Sequence, residues 1–157
     1  MSENQFSEVL EQIPYAVSVV TLGAGGLENG LTISWLSQIS AKPPMLAFSI
    51  HKDHYSRDRL ADHPHFVVNL LAEDQKDLAG HFAKASMVGE DKIDKFPTQP
   101  GRNEVPILSE ALAYFDCDVH ATHEVGDHVL IVGLIINAGK LRDAAPMTSA
   151  SGLRYRP

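Results

Sequence analysis

Asn29-Gly-Leu-Thr-Ile-Ser-Trp-Leu-Ser-Gln-Ile-Ser-Ala-Lys-Pro-Pro44 is the stretch around which this chain is organised. Asn29-Gly30 is a turn dipeptide. Thr32, Ser34, Ser37, Gln38 and Ser40 then alternate loosely with Leu31, Ile33, Trp35, Leu36 and Ile39, and Pro43-Pro44 closes the run. A segment rich in hydroxyls and nearly free of charge suits neither a solvated loop nor a plain core strand. With the N–H groups of an irregular loop, such side chains can hold an anion or a heteroaromatic ring. The same residues also describe a strand followed by a serine-rich connector. The pattern alone leaves both readings open.

Working outward, Met45-Leu-Ala-Phe-Ser-Ile50 reads as a buried strand, and so does Tyr15-Ala-Val-Ser-Val-Val-Thr-Leu22. Between the second of these and Asn29 lies Gly23-Ala-Gly-Gly26. A dinucleotide loop would need a helix to start there. Leu27-Glu-Asn-Gly30 follows instead, so the glycines read as a hairpin turn. Upstream, Ser2 to Ile13 has Phe6, Val9, Leu10 and Ile13 at helical spacing and stops at Pro14. Downstream, His51 to Tyr55 is polar. Ser56 to Asp62 fits a short helix with Ser56 as N-cap. Phe66 to Leu71 is a strand, and Glu73 to Lys84 a helix with Leu78, Ala79, Phe82 and Ala83 on its apolar face.

Ser86 to Pro106 is a long polar connection of the kind that often carries function. Ala111 to Thr122 alternates, with Ala111, Ala113, Phe115, Cys117, Val119 and Ala121 on one face and Tyr114, Asp116, Asp118 and His120 on the other. Val125-Gly126 is a turn. His128 to Asn137 is apolar on both faces and must be covered twice, so a homodimer is expected. Ala138-Gly139 turns the chain, and Leu153 to Arg156 reads as a last short strand. The tally is about six or seven hairpin-linked strands with a few short helices: a mainly β fold, a β-barrel with peripheral helices. The whole length, 1–157, reads as one domain.

Composition narrows the partners. The 157 residues are 44% hydrophobic, enough for a core. A net charge of −7 without a basic cluster argues against nucleic acid and against anionic lipid surfaces. A phosphate-bearing small ligand stays open, because a nest of N–H groups acts locally. Cys117, the only cysteine, excludes an intramolecular disulfide and reads as a small buried hydrophobe. The first residues lack a charged segment followed by an apolar one, and no apolar run is of membrane-spanning length; a cytoplasmic protein is expected.

Several motifs recur here in one order. Val17-Ser-Val-Val-Thr21 is followed by Asn29, Gly30, Thr32, Ser34, Ser40, Pro43 and Pro44 at fixed spacing, and then by Ser56. Phe66-Val-Val-Asn-Leu-Leu71 precedes Gln75, Leu78, Ala79 and Phe82. Asp94-Lys-Phe96, Pro106-Ile-Leu108, Phe115-Asp-Cys117 and Gly126-Asp-His128 complete the set. This order resembles the flavin reductase-like FMN-binding split barrels, a family that includes the small reductase components of two-component flavin monooxygenases.

The resemblance implies an antiparallel split β-barrel that binds FMN or FAD and oxidises NAD(P)H. It implies that Ser34, Trp35, Leu36, Ser37 and Gln38 wrap the ribityl phosphate side of the flavin, with Thr32 beside them. It implies that Ile50, His51 and Lys52 line the isoalloxazine, that Ser56 and Arg57 reach the phosphate, and that Phe82 and Tyr155 belong to the cofactor site. His128 of the Gly-Asp-His triplet would orient the nicotinamide. A monooxygenase component is the implied partner. Two departures stand out: Lys42 where the family often has an aspartate, and Pro146-Met-Thr-Ser-Ala-Ser-Gly152 where it often has aromatic or histidine residues.

Other chemistries were weighed against this. His63-x-His65 and His120-x2-His123 have metal-like spacing, but the second pair falls on opposite faces of an extended strand. No Gly-x-Ser-x-Gly turn supports a serine hydrolase. The runner-up is a flavin-binding electron carrier or sensor of the same fold. A split barrel holding pyridoxal phosphate or heme is a related option.

Overall fold

The computed structural model describes residues 3–84 and 92–151. Leu153 to Arg156, with Tyr155, lie outside the described residues, as does Ser2. After helix α1 (Glu3–Leu10) come β1 (Ser18–Leu22), β2 (Asn29–Ile33), β3 (Leu36–Ala41) and β4 (Pro44–His51). Then follow α2 (Ser56–Asp62), β5 (His65–Leu70), α3 (Lys76–Ala83), β6 (Thr98–Pro100) and β7 (Pro106–Leu108). The long strands β8 (Ala113–Val125) and β9 (His128–Lys140) lead to a short 3-10 helix, Ser149–Ser151. Among the described residues no helix is long and apolar enough to cross a membrane.

Seven strands form one sheet in the order β2-β1-β5-β8-β9-β4-β3, every pair antiparallel. The two edge strands, β2 and β3, are consecutive in the chain and separated only by Ser34 and Trp35. The Cα atoms of Ile33 and Leu36 can therefore be at most about 11 Å apart. A seven-stranded sheet whose opposite edges lie that close must curl nearly shut. No ladder joins β2 to β3, so the barrel is split at this seam. Its interior holds Val20, Leu22, Leu31, Leu46, Phe48, Phe66, Val68 and Ile131, with Phe48 and Phe66 edge to face at 5.1 Å.

Asn29-Gly30 is not the turn. Leu22 pairs with Asn29, and the turn falls at Gly23 to Gly26, whose glycines hold φ of +81°, +67° and +88°. Gly30 lies inside β2 because a Cβ there would meet the Phe82 ring at 2.7 Å. The serine-rich connector is also a strand, β3, whose ladder with β4 shifts register between Gln38 and Ser40. Ala138-Gly139 continues β9 rather than turning, with Gly139 opposite Tyr114.

The alternation of β8 holds only in part. Register shifts between Asp116 and Cys117 and between Val119 and Ala121 re-aim its side chains, and Asp116 is fully buried. Burial and then the two neighbouring aspartates push the Cys117 thiol far up, which makes it an inert core group. The long connection before Pro106 contains the two-stranded ladder β6-β7, bringing the strands to nine among the described residues.

That ladder is pinned on the sheet by Asn69. Its Nδ2 donates to the Val19 carbonyl and to Thr21 Oγ1, both at 3.1 Å, and its Oδ1 accepts from Leu108 N–H at 2.8 Å. The Thr21 hydroxyl donates to the Pro106 carbonyl at 2.5 Å. Helix α3 packs on β2 and β1 through Leu78, Ala79 and Phe82, beside Val17 and Val19.

Candidate functional site

The seam builds the site. Leu36 N–H donates to the Ser34 carbonyl at 3.0 Å, and Ser49 N–H to the Trp35 carbonyl at 3.2 Å, so the link is tied to β4. Beside it lies a slot of about 110 Å3, lined by Leu31, Ile33, Ser34, Trp35, Ser49, Ile50, His51, His54 and His128. His128 arrives from the β8-β9 hairpin. Its two-residue loop, Gly126-Asp127, has glycine at the first position with φ +59°, as a tight hairpin favours.

The strand register sets His128 directly opposite His51. The two rings are edge to face at 5.4 Å, and the Trp35 ring lies 4.8 Å from His128. The His128 side chain is only 11% exposed, and its Nδ1 lies 2.6 Å from Asp127 Oδ1. A carboxylate accepts, so Nδ1 carries the proton and Nε2 of the neutral ring is a lone pair. That hydrogen bond holds the Asp127 carboxyl below the usual range. The Asp127 carbonyl also accepts from Lys52 N–H at 3.0 Å, which locks the hairpin tip to the end of β4.

Of the residues expected at a cofactor, Ser34, Trp35, Ile50, His51 and His128 meet in this slot. Ser37 and Gln38 stand exposed on the edge strand, their side chains bonded, among the described residues, to the Gln38 and Ser40 carbonyls. Leu36 is half-buried against the barrel core. Lys52 is half-buried past the strand end.

Ser56 is not an N-cap. Tyr55 occupies that position, no side chain caps the helix, and the fully buried Ser56 Oγ has no hydrogen-bond partner. Arg57 is engaged by Glu124 at 2.7 Å, an exposed pair. Thr32 and Phe82 belong to the core instead. The Thr32 hydroxyl donates to the Ala79 carbonyl at 2.6 Å, and Phe82 is 1% exposed against Gly30 and Phe96. Thr32 faces α3, because residues of β2 alternate between the barrel interior and that helix, and Phe82 comes from the helix itself. Ser49 and His54 line the slot without having been expected there. The polarity of His51 to Tyr55 was the available signal for His54.

The other histidines do different work. His65 Nδ1 lies 2.8 Å from Asp118 Oδ1, and His63 closes α2. A larger groove of about 430 Å3 opens elsewhere, beside Phe96 and Pro100. Glu28, Asp94 and Glu104 line it, and these carboxylates would repel a phosphate-bearing ligand. The smaller slot is therefore the better place for flavin or nicotinamide chemistry.

A split antiparallel barrel with a largely apolar, ring-sized slot edged by histidines at its seam is the architecture of a flavin-handling protein. The sequence matches the Flavin reductase like domain over residues 10–154, and the chain belongs to that family. It is 32% identical over 154 residues to the NADH-dependent FAD reductase of Streptomyces globisporus, covering 97% of this chain and 84% of that protein. The fold superposes on the NADH:FAD oxidoreductase SgcE6 of Streptomyces globisporus C-1027 with a TM-score of 0.88. That alignment has 29% identity over 99% of this chain and 94% of the other. SgcE6 is also known in complex with NAD and FAD fragments. A homologue of nitrilotriacetate monooxygenase component B from Mycobacterium thermoresistibile gives 0.85 at 26% identity, covering 93% and 81%. The chain also matches diflavin flavoproteins, but spans only 25% of the length of one from Nostoc.

Proposed function

We propose that this protein is an NADH-dependent flavin reductase that supplies reduced FMN or FAD to a monooxygenase component. The observation that carries the reading is His128: hydrogen-bonded through Nδ1 to Asp127, tilted against Trp35, with Nε2 unengaged, at a slot sized for one ring. The names of the relatives support NADH as donor and FAD as acceptor. The component B neighbour supports an oxygenase partner.

The residues present fit a flavin. Ser56 Oγ is buried and unpartnered at the start of α2, as a hydroxyl awaiting a phosphate oxygen would be. Gln38 keeps a second amide hydrogen on an open edge, Lys52 follows the slot residue His51 in sequence, and Trp35 offers an apolar face. When bound, the flavin would accept a hydride from the reduced nicotinamide. The chain supplies position: Trp35 and Ile50 exclude water, and His128 orients the nicotinamide. No side-chain acid or base is required for that transfer.

Two unpartnered surfaces support a homodimer. On α1 and the turn after it, Phe6, Val9, Leu10 and Ile13 are between 45% and 70% exposed, and so short a helix is marginal without packing. On β9, Leu130, Leu134 and Ile136 are half-buried. Light scattering at micromolar concentration should give twice the chain mass. A cytoplasmic location fits a chain whose single cysteine is buried and unpaired.

The decisive experiment is NADH oxidation with added FMN or FAD, alongside flavin titration. His128→Ala should lower kcat/KM for NADH about tenfold or more while flavin affinity holds. A drop in flavin affinity with an unchanged rate at saturating flavin would sink the role given to His128.

A further inference from the structure

Three histidines line the slot, His51, His54 and His128, and the Nδ1 of each is already engaged. Asp53 N–H donates to His51 Nδ1 at 3.2 Å, with the Asp53 carboxylate farther off at 3.7 Å and beyond hydrogen-bond reach, and Ser56 N–H donates to His54 Nδ1 at 3.3 Å. A ring nitrogen that accepts a backbone N–H carries no proton, so neutral His51 and His54 hold theirs on Nε2. His128 is the reverse: Nδ1 gives its proton to Asp127, and Nε2 of the neutral ring is a lone pair. Local backbone bonds and one carboxylate thus fix two donors and one acceptor around a single cavity. No hydrogen bond within the described residues uses any of the three Nε2 atoms. Nor do the described residues gather a His, Cys, Asp or Glu cluster that could hold a metal ion.

At about 110 Å3 the slot is smaller than the roughly 300–1,000 Å3 of ordinary ligand pockets and matches one ring and its substituent. A nicotinamide carboxamide presents one acceptor and one donor side by side. We propose that His51 and His54 are specificity residues that donate to the carboxamide oxygen, while His128 Nε2 accepts from its NH2. This rests on the reductase reading above.

The test compares NADH with its reduced 3-acetylpyridine analogue, which keeps the carbonyl and lacks the NH2. With saturating flavin, the wild-type protein should favour NADH in kcat/KM by about tenfold, and His128→Phe should bring that ratio close to one. His51→Phe and His54→Phe should raise KM for both dinucleotides about equally, leaving the ratio intact. His51→Gln and His54→Gln, which keep a donor near the Nε2 position, should restore most of the lost affinity. Thermal melts of each variant separate these effects from misfolding. Unchanged KM in both Phe variants, or a ratio that survives in His128→Phe, overturns the proposal while leaving the reductase reading standing. No oxidation of either dinucleotide by the wild-type protein overturns both.

Discussion

Two polar regions of this barrel behave in opposite ways. Around Asn69, amide and hydroxyl groups are closed on one another: Val19, Thr21, Pro106 and Leu108 use both ends of the Asn69 amide and the Thr21 hydroxyl. At the seam, groups of the same chemical kind are held at one end and left unmatched at the other. The ring nitrogens of His51, His54 and His128 and the buried Ser56 Oγ are examples. A saturated network fixes structure, whereas an unsaturated one of equal rigidity is set up to recognise something. Burial alone does not separate the two, since Asn69 and Ser56 are both fully buried. The count of unused donors and acceptors does.

Substitution should pull the regions apart. The largest effect belongs to the closed network. Asn69→Ala leaves Leu108 N–H without a partner and takes away the amide N–H that Thr21 Oγ1 accepts, and should cost about 2–4 kcal/mol in denaturant unfolding. A cost below about 0.5 kcal/mol would erase the contrast. Next comes Ser56→Ala. It should leave stability unchanged or slightly higher, because the hydroxyl is an orphan, while flavin affinity falls roughly tenfold to a hundredfold. An unchanged flavin Kd by fluorescence titration would move the phosphate elsewhere.

A smaller effect is expected from pH. Burial first, then Lys92 and His51, push the His54 pKa below its ordinary 6.5. As pH falls below 6.5 the unfolded chain takes up a proton that native His54 refuses. Stability present above that value is therefore lost as pH drops through the folded pKa. Denaturation midpoints measured across this window should fall, and His54→Gln should flatten the slope. The smallest change is Glu124→Ala, which breaks the exposed pair with Arg57 and frees a guanidinium near α2. It should alter stability by less than about 1 kcal/mol and tighten flavin binding about twofold; weaker binding would mean that Arg57 needs Glu124 to hold its pose.

Much of this was legible in the residues. The alternation and β-branched runs located β1, β4, β5 and β9, and the ordered motifs pointed to the split barrel and its family. What escaped was decided by partners far away in sequence. Gly30 reads as a turn residue, yet it sits in a strand because the Phe82 ring, from α3, needs the space of its absent side chain. Thr32 reads as a ligand donor, yet its hydroxyl meets Ala79 across the same packing. Ser56 reads as a cap, yet the helix starts at its own position. His51, Trp35 and His128 were placed at the site by resemblance. Only the register of β4 against β9, and the backbone bonds at Nδ1, show how these rings are turned and why His54 joins them.

The Ser34-Trp35 link has one more consequence. Across its seam this barrel is joined by the covalent chain, by the Ser49 N–H bond to the Trp35 carbonyl and by Leu31, Ile33, Phe48 and Ile50 packed in the interior, instead of by a run of paired strands. Parting the two edges there would break that hydrogen bond and expose that packing, with every strand pair left zipped.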